Sequence, residues 1–383
     1  MNVDDTSKFF LIYPLNLEDL GKVELQEKID LFFPNEAFQI EQKEGGLELE
    51  CSIKNGFLLN HVLRSPTRIL LRVAEFKCRD FPKLYQKISK INWSNLLLGI
   101  APGIEASAKN SRVFDSRKIE KAVTDGILEF YRKQPPKKKF LELANNFNRD
   151  DLPKIYIRLE NDICTVSLDT TGRRLHLRDE KILSGLAPIR ENLAYMLLSE
   201  LEYYIANKDI SYTLIDPMCG SGTFLIEAKN KYKVTNGRKY SYQLIPLSIN
   251  ENVDTLTSTD NHKIIFNKII GFDIDENIVH HANINLGDIK VTKADIFSNN
   301  IIEEENVIII SNPPYGIRVG SNIDGKFFER IIEQSQKKFS AKYLGIIIPD
   351  EFRLKFPTYT KLLKIRSFSN GGIPVTFYVF EFK

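Results

Sequence analysis

The first part of the chain alternates short apolar runs with polar turns, a pattern typical of a small α+β fold. Strands are predicted where apolar residues are contiguous or alternate, and helices where they recur every three or four positions. Residues 117–131 show the helical pattern, with Ile119, Val123 and Ile127 on one face. The predicted strands are 9–13, 47–53, 68–73, 154–160 and 163–168, the predicted helices are 17–32, 81–91 and 117–131, and a basic extended turn is predicted at 134–139.

Beyond residue 172 the pattern changes to strands that alternate with longer helices, which is typical of a parallel α/β sheet. Such sheets bind ligands beyond the carboxyl ends of their strands, so residues that follow these strands are candidates for a functional site. The stretch 228–268 is weakly patterned, and we interpret it as a helical insertion or a loop. The predicted strands are 212–215, 269–273, 289–293, 306–310, 343–348 and 375–382.

Positive charge is concentrated in the predicted α+β region. The whole chain has a net charge of only +3, but residues 61–160 hold 21 lysines and arginines against 11 acidic residues. The rest of the chain is therefore net acidic. A basic domain joined to an acidic one is typical of a nucleic-acid-binding unit attached to a separate catalytic unit, although a solvated lysine face is a common alternative.

The four cysteines and five histidines argue against a metal site. The cysteines form no closely spaced pair, and the neighbouring His280 and His281 would point to different sides of a helix. We therefore predict no metal and free thiols. No apolar span is long enough to cross a membrane, and the N-terminus has no basic segment leading into an apolar one. We expect a cytoplasmic protein without a membrane partner.

A glycine-rich turn with the sequence Asp-Pro-Met-Cys-Gly-Ser-Gly-Thr separates the predicted strand 212–215 from a helix. Its glycines allow backbone amides to approach a ligand, but it lacks the third glycine of a dinucleotide site and the lysine of a P-loop. A carboxylate at Asp216 suits an ammonium and a sulfonium better than a pyrophosphate, which favours S-adenosylmethionine over NAD. The alternative role of Asp216 is helix capping. The predicted cofactor-binding residues of this turn are Asp216, Met218, Cys219, Gly220, Ser221 and Gly222.

Acidic residues also end the next two strands. Asp273 can accept hydrogen bonds from both hydroxyls of a ribose, whereas Asp275 is predicted to cap the following helix. Asp295 can accept from the amino group of an adenine whose ring is covered by apolar neighbours. The predicted cofactor-binding residues at these positions are Asp273, Ile274, Asp295 and Ile296, together with Asn312 after the fourth strand.

The fourth strand is followed by Asn312-Pro313-Pro314-Tyr315, which suits methylation of a planar exocyclic amine. The lone pair of such an amine is delocalised into the ring until acceptors hold its N–H groups. The Asn312 amide oxygen and the Pro313 carbonyl can be those acceptors, and Tyr315 offers a ring on which a base can stack. An ordinary surface turn is the alternative for the isolated tetrapeptide. Because four successive strand ends supply contacts in the expected order, we predict a methyltransferase with these four residues as its catalytic residues.

These motifs together resemble the class I methyltransferase fold and, more narrowly, the THUMP-domain RNA guanine-N2 methyltransferases. Some members of that family carry the label of N6-adenine-specific DNA methylases. The likeness covers nearly the whole chain: 64–72 and 111–123 resemble THUMP segments, and 169–176 resembles the linker hairpin. Residues 216–228 are similar to the bacterial large-subunit rRNA enzymes in particular, and 312–316 with Arg318 resembles their substrate loop.

The resemblance implies a Rossmann-like class I methyltransferase domain with a mixed seven-stranded sheet, preceded by α+β ferredoxin-like and THUMP domains. Residues 1–60 would form the ferredoxin-like domain, 61–168 the RNA-binding THUMP domain, and 169–383 the linker hairpin and methyltransferase domain. The residues assigned to RNA binding are Lys109, Arg112, Arg117, Lys118, Lys137, Lys138 and Arg318.

The implied activity is S-adenosylmethionine-dependent formation of N2-methylguanosine in a structured RNA. Large-subunit ribosomal RNA is the expected substrate and tRNA the alternative, and we expect a monomer. Two other possibilities stay open at this point. One is amino methylation of adenine in DNA or of a glutamine in a protein, and the other is a non-catalytic RNA-binding factor.

Overall fold

A computed structural model of the chain describes residues 2–147, 152–178, 180, 182–183, 188–251, 256, 265–298, 303–315 and 323–383. The strands are β1 (Thr6–Ile12), β2 (Gln39–Lys43), β3 (Gly46–Ser52), β4 (Arg68–Lys77), β5 (Ile104–Lys109), β6 (Ile155–Glu160), β7 (Ile163–Asp169), β8 (Tyr212–Asp216), β9 (Phe266–Asp273), β10 (Val291–Lys293), β11 (Val307–Ser311), β12 (Tyr343–Pro349), β13 (Thr360–Asn370) and β14 (Ile373–Phe382). The helices are α1 (Glu18–Phe32), α2 (Ile53–Val62), α3 (Phe81–Ile88), α4 (Ser116–Lys133), α5 (Lys138–Ala144), α6 (Glu191–Tyr203), α7 (Thr223–Lys229), α8 (Pro246–Glu251), α9 (Glu276–Leu286) and α10 (Gly325–Lys337).

The chain divides into two compact units, each with its own seven-stranded sheet. The first unit consists of Met1–Tyr13, Leu25–Leu175 and Val234–Ser258. The second unit consists of Pro14–Glu24, His176–Lys233 and Thr259–Lys383.

The sheet of the first unit has the strand order β2-β3-β1-β4-β7-β6-β5. Only the β5–β6 pair is parallel, and the other neighbours are antiparallel. Helix α4 packs its apolar face inward, because Ile119, Val123 and Ile127 are fully buried as the sequence predicted. Its outer face carries lysines and arginines.

The sheet of the second unit has the order β10-β9-β8-β11-β12-β14-β13. The first five strands are parallel, whereas β14 runs antiparallel to both β12 and β13. Strand β11 is buried along its whole length, as expected for a central strand covered on both faces. The predicted fold class, an α/β domain with a mixed seven-stranded sheet preceded by an α+β region, is confirmed.

The compact units differ from the three segments expected from the sequence. Strand β1 pairs directly with β4, so one continuous sheet crosses the expected boundary at residue 60. The segment Val234–Ser258 belongs to the first unit, although it was expected in the catalytic domain. Aromatic packing explains this: the Tyr242 ring stacks 5.0 Å from that of Phe57, and its hydroxyl lies 2.8 Å from His61 Nε2.

Several elements were not anticipated or were placed differently, among them strands β2 and β5 and helix α10. Helix α2 follows β3 directly and is capped by the Ser52 hydroxyl, which accepts from the Asn55 amide at 3.2 Å. Helix α5 begins at Lys138, inside the region predicted to be an extended turn. Strand β13 forms the edge of the sheet of the second unit. Its largely exposed side chains do not form the apolar run by which the other strands were found.

No helix among the described residues is long and apolar enough to cross a membrane.

Candidate active site

A cavity of about 500 Å³ lies at the carboxyl ends of β8, β9, β10 and β11 in the second unit. This volume is within the range typical of small-molecule sites. Four wall segments follow these strands: 216–221, 273–275, 294–297 and 312–315. Every cofactor-binding and catalytic residue proposed from the sequence lines the cavity, with the exception of Gly222.

The glycine turn after β8 shows why two glycines are needed. Gly220 has a φ of 54°, and no atom lies within 4 Å of the position that a Cβ would take. Gly222 has a φ of 86° and is the N-cap of α7, and a Cβ there would lie 2.9 Å from Leu286 Cδ1. Gly222 does not line the cavity, and its lack of a side chain serves the turn and the packing of α7, so its contact with the cofactor stays a prediction.

Asp216 is buried at the end of β8, where its Oδ1 accepts a hydrogen bond from the Met218 amide at 3.2 Å. Burial raises the pKa of Asp216 well above its ordinary value; the Met218 hydrogen bond lowers it, and the nearby charge of Asp273 raises it further. Because Gly222 caps α7, Asp216 is not the helix cap. A buried carboxylate of this kind is stabilised by a cationic ligand and destabilised by an anionic one.

Asp273, at the end of β9, forms a hydrogen bond with the glycine turn. Its Oδ2 accepts from the Gly220 amide at 2.9 Å, and its Oδ1 accepts from the Asp275 amide at 3.0 Å. Each oxygen keeps a lone pair with which it can accept from a ligand hydroxyl. Asp275 Oδ1 accepts from the amides of Asn277 and Ile278 and is the N-cap of α9, as predicted.

The wall after β10 combines Asp295 with aromatic rings. Asp295 Oδ1 accepts from the Phe297 amide at 2.9 Å, and the Phe297 ring packs edge-to-face 5.7 Å from Phe327 of α10. The Arg330 guanidinium lies 4.1 Å from the Phe297 ring centroid, and Lys338 Nζ donates to the Asp295 carbonyl at 2.9 Å. These contacts hold a flat apolar surface beside a carboxylate, which suits an adenine ring. Sequence reasoning missed Phe327, because nothing in the pattern of α10 distinguishes a cavity wall from an ordinary core face.

The loop after β11 places Asn312, Pro313, Pro314 and Tyr315 at the cavity. In this structure the Tyr315 hydroxyl donates a hydrogen bond to Asn312 Oδ1. The hydroxyl in turn accepts from Asn370 Nδ2 at 3.2 Å. The amide oxygen of Asn312 thus acts as an acceptor inside the cavity. Residues 316–322, which include Arg318, lie outside the described residues.

Asn370 is a second residue that sequence reasoning missed. It ends β13 immediately before a two-glycine turn, and Gly371 and Gly372 have φ values of 62° and 87°. Turns of this kind join antiparallel strands tightly. Its position in the chain gives no sign that it lies beside Tyr315, because the hairpin itself was not predicted.

The six described residues assigned to RNA binding all lie in the first unit and are all exposed. Arg112 lies in the loop between β5 and α4, and its Nε is 3.7 Å from Asp162 Oδ2. Lys118, at the start of α4, is 3.7 Å from Asp115. The others are Lys109 at the end of β5, Arg117 in α4, and Lys137 and Lys138 around the start of α5. Exposed ion pairs are weak, so these cations can also contact phosphates.

Among the residues that the structure describes, no three histidine, cysteine, aspartate or glutamate side chains are grouped in a way that could hold a metal ion. All four cysteines are free and buried. Burial raises the pKa of the Cys219 thiol beside the cavity well above its ordinary value. That thiol therefore stays protonated.

A mixed α/β sheet with five parallel strands, and with a glycine turn, an acidic strand end and an Asn-Pro-Pro-Tyr loop after neighbouring strands, is typical of a Rossmann-like methyltransferase domain. Residues 178–358 match the sequence model of the family described as "RMKL-like, methyltransferase domain". Over these residues the chain is similar to this methyltransferase family.

Several known proteins are similar to this chain. "Ribosomal RNA large subunit methyltransferase K/L" of Colwellia psychrerythraea is 27% identical over 307 residues, which are 74% of this chain and 41% of that protein. The chain spans between 30% and 41% of the first curated relatives. The solved structure of a possible methylase from Clostridium difficile 630 is 25% identical with a TM-score of 0.74, and the match covers 99% of both chains. A putative methyltransferase complexed with SAH shares the fold at 24% identity and a TM-score of 0.72, over 99% of this chain and 98% of that one.

Proposed function

We propose that this chain is an S-adenosylmethionine-dependent RNA methyltransferase that forms N2-methylguanosine in large-subunit ribosomal RNA. The observation that carries the proposal is the convergence of Asp216, Asp273 and Asn312 on one cavity of the second unit. The similarity of 74% of the chain to a protein named for large-subunit ribosomal RNA supports the choice of substrate.

The residues at the cavity fit S-adenosylmethionine. The buried Asp216, with its raised pKa, favours a cationic group, and Asp273 Oδ1 and Oδ2 can accept from two ribose hydroxyls. Asp295 beside the Phe297 ring fits an adenine with an amino group. When bound, S-adenosylmethionine would supply an electrophilic methyl group on a positively charged sulfur.

Asn312 and Pro313 would hold the amine that receives the methyl group. The nitrogen of guanine N2 is a poor nucleophile while its lone pair is shared with the ring. Two acceptors that bind its N–H groups turn the lone pair out of the ring plane, and positioning contributes much of the acceleration. Because Asn312 Oδ1 already accepts from the Tyr315 hydroxyl, the incoming amine would replace that hydroxyl. The Tyr315 ring would then stack on the base.

No strong general base is required in this proposal. A methylated exocyclic nitrogen carries positive charge, so it loses a proton readily to water or to a weak acceptor. The task of Asn312 is therefore to orient the amine rather than to remove a proton. Consistent with this, the Asn312 side chain is an amide, which has no basic group at neutral pH.

The first unit would bind the RNA. Its exposed cations at Lys109, Arg112 and Lys118 fit phosphate contacts, and the surplus of positive charge lies in this part of the chain. Structured RNA is recognised largely by shape and by backbone contacts, for which such a surface is suited. A tRNA substrate would use the same chemistry and is the second candidate.

Two experiments test the proposal. Ribosomal and transfer RNA from a strain lacking the gene are digested and N2-methylguanosine is mapped, and we expect one position of large-subunit RNA to lose its methyl group. Wild-type protein should restore it, whereas Asn312→Ala should not. Calorimetry should show that Asn312→Ala still binds S-adenosylmethionine within a few-fold of wild type.

Other outcomes would reject the proposal in distinct ways. If N2-methylguanosine is lost from tRNA alone, tRNA rather than large-subunit ribosomal RNA is the substrate. If methylated adenine is lost instead, adenine rather than guanine is the methylated base. Absence of any S-adenosylmethionine binding by the wild-type protein would favour a non-catalytic RNA-binding factor. An Asn312→Ala protein that methylates RNA at the wild-type rate would remove Asn312 from the mechanism.

A further inference from the structure

Phe114 is the most exposed large apolar side chain of the described residues, with 75% of its surface accessible. It lies between Val113, which is buried, and Asp115, which caps α4. An aromatic ring left in water at such a position loses the stabilisation that burial would give it. Singly exposed apolar side chains are common on protein surfaces, so the loop and the charged neighbours of Phe114 must be considered together with its exposure.

The loop that carries Phe114 is held from both sides. Ser111 Oγ donates to the Lys109 carbonyl at 3.0 Å and accepts from the Asp162 amide at 3.1 Å. The Arg112 amide donates to Asp162 Oδ1 at 2.9 Å. On the other side of Phe114, Asp115 Oδ1 accepts from the Lys118 amide at 3.1 Å. The ring thus stands on a fixed backbone, which lowers the entropy lost when a ligand stacks on it.

Cationic side chains flank this loop. The side chains of Arg112 and Lys118 are 68% and 69% exposed, and Lys109 and Arg79 are also largely accessible. These four cations share three carboxylate partners, those of Asp115, Glu160 and Asp162, so the cations outnumber the carboxylates. A purely apolar partner would leave these cations unused. A polyanion whose units carry both a phosphate and a flat base uses the cations and the ring together.

We propose that Phe114 is a stacking platform for an unpaired nucleotide of the bound RNA, with Arg112 and Lys118 on the neighbouring phosphates. The inference rests on the proposed RNA substrate and adds to it that the RNA presents a single-stranded nucleotide to this loop. Bases inside a duplex are already stacked on both faces, so only an unpaired base can use the ring.

The test compares wild type, Phe114→Ala, Phe114→Leu and Phe114→Trp. Two fluorescently labelled RNAs are used at fixed salt: a blunt duplex and the same duplex with a single-stranded extension. Stacking of one base on an aromatic ring contributes about 1–3 kcal/mol. Phe114→Ala and Phe114→Leu should therefore weaken binding of the extended RNA by about 5- to 150-fold and leave the blunt duplex almost unchanged. Phe114→Trp should bind both RNAs as the wild type does.

Further measurements separate stacking from other effects. Arg112→Gln should weaken binding of both RNAs and reduce the salt dependence of binding. The Phe114 variants should leave that salt dependence unchanged. Thermal unfolding should be unchanged in Phe114→Ala, because the ring packs against little of the protein.

Three results would overturn the inference: equal binding by Phe114→Ala and wild type, full binding by Phe114→Leu, or equal losses on both RNAs. Failure of the proposed function has a different signature. Binding of the extended RNA could depend on Phe114 while the strain lacking the gene keeps every N2-methylguanosine. In that case the stacking role of Phe114 is supported and the proposed reaction is wrong.

Discussion

Removal of the Tyr315 hydroxyl tests how the acceptor site is arranged before a base enters. Tyr315→Phe keeps the ring but removes the donor to Asn312 Oδ1 and the acceptor for Asn370 Nδ2. A neutral hydrogen bond contributes a net of about 0.5–1.5 kcal/mol. If the incoming amine must displace that hydroxyl, freeing Asn312 should tighten binding of the base by about 2- to 12-fold.

Steady-state methylation of RNA from the strain lacking the gene measures this effect. We expect Tyr315→Phe to lower KM by that factor and to leave kcat unchanged, because the ring that stacks on the base is retained. Tyr315→Ala is the contrasting variant: it loses the stack, worth about 1–3 kcal/mol, so its KM should rise. A tenfold fall of kcat in Tyr315→Phe would refute the reasoning, since the hydroxyl would then act in the chemical step.

Asn370→Ala completes a double-mutant cycle. Asn370 is expected to act on the base only through the Tyr315 hydroxyl. Its removal should therefore change KM in the wild-type background and have no effect in the Tyr315→Phe background. An equal change in both backgrounds would show that Asn370 affects the base by another route. Affinity for S-adenosylmethionine should be the same in all four proteins.

Two further predictions concern the glycine turn. Asp216→Asn should weaken S-adenosylmethionine binding in calorimetry by about ten- to 150-fold, the effect of losing a hydrogen bond to a charged group. The pKa of Asp216 is raised in the folded state, so ionisation of Asp216 destabilises the fold as pH rises above the ordinary carboxyl range. Without cofactor, Asp216→Asn should therefore have a higher Tm at neutral pH than the wild-type protein. Gly222→Ala should lower the free energy of unfolding by about 1–2 kcal/mol in denaturant titrations, because φ is positive and Leu286 blocks the Cβ. Gly220→Ala carries the same positive-φ strain but meets no atom, so it should destabilise the protein less than Gly222→Ala does and reduce cofactor affinity more; the opposite ranking of these two variants would contradict the assigned roles.

The strand ends that form the site could be predicted because β8, β9 and β11 each contain a compact apolar run and the segment 289–293 alternates apolar and polar residues. Strand β11 is fully buried, and only an apolar sequence fits such a position. Once β8, β9, β10 and β11 were recognised as parallel neighbours, their carboxyl ends had to meet at one edge of the sheet. The residues that follow each strand were therefore placed together without knowledge of any distance.

The C-terminal hairpin could not be predicted in the same way. Strand β13 carries Lys361, Lys364 and Arg366 among apolar residues, so neither an apolar run nor a clean alternation marks it. Arg366 is instead held by Glu200 and Asp19, with which it forms ion pairs of 2.7 Å each. Contacts between residues so far apart in the chain leave no local signal. Asn370 was missed for that reason, although it contacts a residue that the sequence had singled out.

The segment Val234–Ser258 was misplaced for a related reason. Periodicity assigns a residue to a helix or a strand, but it does not say with which core the element packs. Tyr240 and Tyr242 pack around His61, whose Nδ1 lies 2.7 Å from Asn236 Oδ1. Burial lowers the pKa of His61, and the hydrogen bond that the His61 ring donates to Asn236 Oδ1 opposes that change. A cluster of this kind joins residues from two distant segments of the chain.

The choice of S-adenosylmethionine over a dinucleotide rests on charge more than on the glycine count. Burial and the neighbouring Asp273 raise the pKa of Asp216, so a negative charge on Asp216 is disfavoured until a cationic group lies beside it. A pyrophosphate would add further negative charge beside that carboxylate, at a cost that grows as water is excluded. A ligand with an ammonium and a sulfonium is instead attracted to that carboxylate. The same buried carboxylate that destabilises the cofactor-free protein therefore becomes a source of affinity and of selectivity for a cationic cofactor.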